Sequence, residues 1–363
     1  MELLVIISQV FLYVCFSVLA GSFLLLLIPE SQRPDVKIPK YLLLASAVAL
    51  PIFAFVPVLD ITLFIAPRLG LFESFKIVLT TYTVGTAWSF THIGSILLVL
   101  VVGMMRPNEK RIAAFLGILL TFGLMLSIAW SSHAGSMVPL KGITGHFIHL
   151  SAVSIWVGVV LIVGWFAVNH NHWLEFLNWF SKVAIGCLAA TAISGIVLMN
   201  IMVDGYTDSW MVSYGQGLLI KHLFLLPLIF YALINGVIVK YQLSKNAAFN
   251  PIPWIRLESL ILLVIFTITA FFTQQAPAHD NYLTNDAVSS LFRLFHDGVI
   301  DPSSTVGFAV NLPVVYFFLP SILFIGLMLL SIYKKASLLL PFLFSCLFVG
   351  CIYCMLMISV VVR

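Results

Sequence analysis

Ten stretches of this chain are long and apolar enough to cross a lipid bilayer. They lie near residues 3–28, 41–59, 83–105, 111–131, 143–168, 179–203, 216–240, 255–273, 313–333 and 337–361. A helical span needs roughly 20 apolar residues. Inside the hydrocarbon layer every backbone N–H and C=O must be satisfied within the segment, which leaves helices as the economical solution. The expected fold is all-α, a polytopic transmembrane helix bundle. Only 9% of the residues are charged, against roughly a quarter in soluble domains, so little room remains for a separate soluble domain. The net charge of +4 is small and the basic residues are scattered, which argues against a nucleic-acid partner. The first run has no charged n-region beyond Met1-Glu2 and is read as a retained helix.

The second run is the least regular. Pro51 and Pro57 each remove a backbone donor, so a kink is expected there. From Asp60 to Phe75, Leu63, Phe64, Leu69, Leu71 and Phe72 mix with Arg68 and Glu73, the pattern of a short interfacial helix. Orientation follows from the loop cations. The odd-numbered loops carry Arg33, Lys37, Lys40, Arg106, Lys110, Arg111, Lys182, Lys240, Lys245, Arg256, Lys334 and Lys335. The termini and even-numbered loops carry only Arg68, Lys76, Lys141, Arg293 and Arg363. Both termini are therefore expected outside.

That orientation sorts the histidines. His92 lies inside the third span, and His133 in the outward loop after the fourth. His146 and His149 open the fifth span in GITGHFIHLSAVSIWVG, and His222 lies early in the seventh. His279 and His296 fall in the outward loop 279–311, and only His170 and His172 on the cytoplasmic side. A spacing of three places His146 and His149 on one helix face, with Trp156 two turns beyond His149 on that face. Ionisable side chains within a span are costly and usually serve a site.

Imidazole suits copper, zinc and iron, and thioethers select Cu(I). Met137, Met199, Met202 and Met211 join the histidines toward the outer side, and His with Met is a copper vocabulary more than a zinc one. The bland alternative is that each His bonds a neighbouring helix and each Met fills a gap. Lys221, beside His222, either snorkels to the interface or shapes the site, since a fixed cation favours the neutral imidazole that binds metal. Arg256 and Glu258 read as an interfacial ion pair. Cys351 and Cys354, with Cys346 before them, read as packing residues or as a secondary Cu(I) site. No phosphate-binding G-x-x-x-x-G-K-[ST] loop and no H-E-x-x-H occur, and no soluble domain offers an aspartyl-phosphate nucleophile. The chain is not expected to be an enzyme.

The chain resembles the copper resistance D (CopD) family of bacterial membrane proteins. The resemblance rests on His146, His149, Trp156 and Gly158, then on Ser194-Gly195, Tyr214-Gly215, Lys221 and Asn235. It closes with Arg256, Glu258, Thr269 and Pro277, and is best over residues 80–278. It implies an eight-span core over 1–278; the loop 279–311 and a C-terminal hairpin of two further spans over 312–363, read from the apolar runs, lie beyond it. It also implies copper transport across the cytoplasmic membrane, with import expected, working with an extracytoplasmic copper-binding protein.

On that reading copper, the transported or bound ion, meets His92, His146, His149, His222, His133, Met137 and Met199, with Lys221 and Trp156 behind them. Two alternatives stay open. Histidines on separate helices can bind haem as axial pairs, which would make a b-type membrane cytochrome. The same ligands would also serve an assembly factor that hands copper to a respiratory oxidase.

Overall fold

The computed structural model describes residues 1–106, 109–169, 171–246, 249–279, 282–309, 312–334 and 336–363. His170 and Lys335 lie outside the described residues. In chain order the elements are α1 (Glu2–Leu27), α2 (Lys40–Leu69), α3 (Leu71–Thr81), α4 (Thr83–Met104), α5 (Lys110–Trp130), α6 (His133–Met137), α7 (Pro139–Phe166) and α8 (Trp173–Met202). Then come α9 (Ser213–Leu233), which runs through a π-turn at Ile234–Val239 into α10 (Lys240–Lys245), α11 (Ile252–Phe272) and α12 (Ser290–Arg293). The strand β1 (Val306–Phe308), α13 (Leu312–Tyr333), α14 (Leu339–Ser359) and β2 (Val360–Val362) complete the chain. Ten of these helical segments are long and apolar enough to span a membrane, as the hydropathy pattern requires. The molecule is a polytopic helical bundle.

Two compact units divide the chain: Met1–Ile201 with Gly236–Ile255, and Met202–Asn235 with Arg256–Arg363. In the first, α1 is the hub. Every residue from Cys15 to Phe23 is buried, so the helix is covered on all sides there. It packs on α7, α2 and α5. Leu12, Phe16, Leu19 and Phe23 share a core with Leu43, Leu50, Leu98, Met125 and Leu150. The α1–α7 contact is backbone on backbone: a Cβ on Gly21 would lie 2.1 Å from the Gly158 carbonyl carbon. Small residues allow such an approach, and in lipid close packing is what holds helices together. The loops after α1 and α7 tie at one end. Lys37 N–H donates to Phe166 O (3.0 Å), and Val168 N–H to Asp35 O (2.8 Å). The Asn169 side-chain amide donates to the Asp35 carboxylate and holds it below the usual carboxylate range.

The structure corrects the reading of residues 60–75. Residues 60–69 prolong α2, with Pro51, Pro57 and Pro67 all inside it. Spanning helices tolerate proline where neighbouring groups re-satisfy the freed backbone. The break comes at Gly70, whose φ of +82° lies in the region glycine alone adopts without strain. The amphipathic piece is the separate helix α3, which buries Ser74 and Val78 and exposes Leu71 and Phe72.

In the second unit, α13 and α14 pack as a hairpin, and α14 also meets α9. Tyr231 Oη lies 2.7 Å from Ser345 Oγ, and Gln216 Nε2 donates to Met357 Sδ at 3.4 Å. The last span stops at Ser359 rather than at 361. Val360, Val361 and Val362 pair antiparallel with Phe308, Gly307 and Val306, since three β-branched residues fit a strand better than a helix end.

Candidate functional site

His146 and His149 sit in the second and third turns of α7. Pro139 supplies a preset φ at the first turn, so the helix begins before the apolar run does. Both imidazoles are half-buried. His149 Nδ1 lies 3.2 Å from Ser194 Oγ on α8. The Ser194 hydroxyl donates to Ala190 O at 2.6 Å. With that proton directed at Ala190 O, Ser194 Oγ is placed to accept from Nδ1 of His149, the kind of outer support that orients metal-binding histidines. The ring rests on Gly195, where an added Cβ would stand 3.4 Å from His149 Cε1. The Ser194-Gly195 pair therefore bonds one ring nitrogen and makes space for the ring.

The register of α7 on α8 follows. His149 faces 194–195, and a Cβ on Gly145 would lie 3.5 Å from the side chains of Val197 and Leu198, so the helices run antiparallel. By that register Met199 lies about half a turn beyond the level of His146, toward the start of α7. Further along the same end, α6 folds over the first turns of α7: a Cβ on Gly142 would meet Ala134 O. Ser132 caps α6 by accepting from Gly135 N–H at 3.1 Å. His133 and Met137, four apart on α6, are both exposed. Along this unit, then, an exposed His–Met pair is followed by Met199 on α8 and by His146 and then His149 on α7. Trp156 lies deeper and is buried at 3% exposure.

The remaining residues sit on other elements. His92 is on α4, stacked on Trp88 with centroids 5.4 Å apart. His222, in the second unit, has Nδ1 2.7 Å from the Tyr206 hydroxyl. Burial pushes the Tyr206 phenol up to about 12, the Trp210 contact opposing, so it stays protonated near neutrality. No partner of His222 Nε2 is found among the described residues. Lys221 holds its ammonium 5.5 Å from the Phe272 ring centroid. His296 is committed to Met357 O (3.0 Å), and burial pushes its pKa down against the Met357 carbonyl and Asp297. Met202 and Met211 are buried. Cys346, Cys351 and Cys354 are half-buried free thiols on α14. Among the described residues no three His, Cys, Asp or Glu side chains gather as one metal-holding group.

Sequence reasoning missed two features. Glu258, read as interfacial, is buried at 4% exposure and accepts from Asn235 Nδ2 at 2.6 Å. The Tyr206–His222 bond joins a loop residue to a span, a pairing no spacing announces.

These features define a multi-pass helical membrane protein with imidazole and thioether donors ordered along one end. The family description "Copper resistance protein D" matches residues 174–272, and "Copper resistance protein D-like, N-terminal domain" matches residues 1–145. The chain belongs to the copper resistance protein D family and is a membrane protein of it. No curated protein and no solved structure matches the chain.

Two substitutions probe the geometry. Ser194→Ala removes the acceptor that orients His149 and should move the His149 imidazole signals in an NMR spectrum while yield stays near wild type. Unmoved signals would show that the serine does not orient the ring. Tyr206→Phe removes the partner of His222 Nδ1. It should leave yield and unfolding temperature near wild type while moving the His222 imidazole signals in an NMR spectrum.

Proposed function

We propose that the chain carries copper ions inward across a bacterial cytoplasmic membrane, with copper as cargo and no chemical conversion. The observation that carries this reading is the order of donors along α6, α7 and α8. Exposed His133 and Met137 take the ion from an extracytoplasmic copper-binding protein. Met199 on α8, then His146 and the Ser194-supported His149 on α7, receive it in turn. Neutral imidazole and thioether are ligands that Cu(I) favours. Few ligands at each step suit transport, because a site that binds too tightly does not release its ion. His222, with Lys221 beside it, serves a later step in the second unit. The loop cations support an orientation with both termini outside.

The test is copper flux into vesicles. Purified protein is reconstituted with a Cu(I)-responsive dye inside, and Cu(I) is presented outside on a weak chelator. Dye response should exceed that of empty vesicles and depend on protein amount. A response equal to that of empty vesicles would remove the transport reading.

A further inference from the structure

The end of the first unit where α8 starts and the π-turn leads into α10 carries a hollow of about 410 Å³. Two local features open it. A π-turn carries one residue more than an α-turn and bulges the helix there. Gly236, inside that turn, has no side chain to fill the space toward α8. A Cβ built on it would have Ser181 Oγ as its nearest neighbour, at 3.8 Å.

The lining has two sides. Leu174, Gly236 and Val237 form the apolar one, and Asn178, Lys240 and Tyr241 the polar one. Asn178 and Tyr241 are exposed and Lys240 is half-buried, so their donors are accessible from the hollow. Among the described residues the Lys240 ammonium has no hydrogen-bond or ion-pair partner, and the Asn178 amide and the Tyr241 hydroxyl have no hydrogen-bond partner. The Lys245 ammonium stands 4.4 Å from the Tyr241 ring centroid and sets a second cation at the margin. No Asp or Glu lines the hollow, and Glu175, next to Leu174, is exposed outside it. Away from the polar side the apolar wall continues. Val237 is 62% exposed, and Ile185, about three turns beyond Leu174 on the same face of α8, is 68% exposed. On a spanning helix such side chains face acyl chains.

We propose that this hollow holds one anionic phospholipid, its phosphate against the Lys240 ammonium and the Asn178 amide, its glycerol at Tyr241 and one acyl chain along Val237 and Ile185. The two sides select that class together. Cationic and neutral donors with no acid among them match a phosphate. An apolar wall leading toward the hydrocarbon matches an acyl chain, which a soluble anion lacks. The orientation expected from the loop cations puts this end at the cytoplasmic leaflet, where basic pockets between spans take anionic headgroups.

The purified full chain, stripped of lipid in detergent, is titrated with phosphatidylglycerol and followed by native mass spectrometry. One tightly held lipid per chain is expected, bound about tenfold better than phosphatidylcholine. Lys240→Gln should weaken it about fivefold, the worth of one cation near a membrane surface. Gly236→Leu fills the hollow, leaves every donor in place and should abolish binding. Lys182→Gln removes an exposed cation of α8 that does not line the hollow, and it should bind as wild type. Equal retention of phosphatidylcholine would overturn the assignment, and so would displacement of the lipid by inorganic phosphate. Equal losses in Lys182→Gln and Lys240→Gln would overturn it as well, by showing diffuse charge rather than a site. Unaltered affinity in Gly236→Leu would do the same. The wild-type selectivity and the phosphate competition decide the matter if a variant fails to fold.

Discussion

The proposed copper import predicts that cells expressing the His146→Ala, His149→Ala double variant should accumulate no more copper than cells without the protein, while the wild type should raise the total at least several-fold. The expectation follows from where the rings sit. Both lie on α7 facing away from its crossing with α1, and alanine is the best helix former, so the span itself is preserved. What is lost is two neighbouring imidazoles, one held by Ser194, between the α6 donors and the deeper part of the helix. On the proposed route a copper ion leaving His133 and Met137 would then find no imidazole before a buried apolar stretch, and Met199 alone would have to hold it, while a poorly liganded cation in hydrocarbon is very costly. Metal content by mass spectrometry, with membrane protein amount by blotting, gives the readout. His146→Met should restore part of the accumulation if the cargo is Cu(I), because a thioether is a soft ligand. Wild-type copper levels in the double alanine variant would end the proposal that these residues carry the ion.

Gly158→Leu, by contrast, should destroy the assembled protein rather than its activity. A Cβ on Gly158 would stand 2.0 Å from Ser17 O and 2.8 Å from Gly21 N. Those are backbone atoms of the central helix, so no flexible side chain can move aside. Overpacking typically costs about 1–3 kcal/mol even where side chains can adjust. Here α1 and α7 must separate along a fully buried contact, so leucine should exceed that range. The expected result is loss of the monodisperse peak in detergent and low membrane yield. Gly103→Leu is the control, because no heavy atom lies within 4 Å of a Cβ there, and it should behave as wild type. Equal yield and thermal stability for Gly158→Leu would mean that the crossing does not hold the first unit together.

The pair of predictions shows how differently two members of one short motif are used. GHFIHLSAVSIWVG reads as a site because its histidines sit at helical spacing in an apolar run. His146 and His149 lie on α7 as the spacing implies, and His149 meets Ser194 on α8. Trp156 and Gly158 turn out to belong to the core, Gly158 because another helix's backbone passes where its side chain would be. His92 shows the same limit. Its place within a span was legible, but the groove beside it is lined by α2 and α3, which are remote in the pattern. The misreading of 60–75 has a local cause: Leu and Phe mixed with Arg68 and Glu73 suggested one interfacial helix, while Gly70 splits the stretch between the end of α2 and α3.

Composition and run length alone were enough to make this a ten-span helical membrane protein, since hydrocarbon admits few other ways to satisfy a backbone. Spacing alone was enough to put two imidazoles on one helical face. Which helix backs that face, which ring nitrogen is bonded, and where a glycine marks a crossing depended on contacts between distant segments. Those contacts are set by side-chain volume and hydrogen-bond geometry across helices, and neither leaves a periodic trace along the chain.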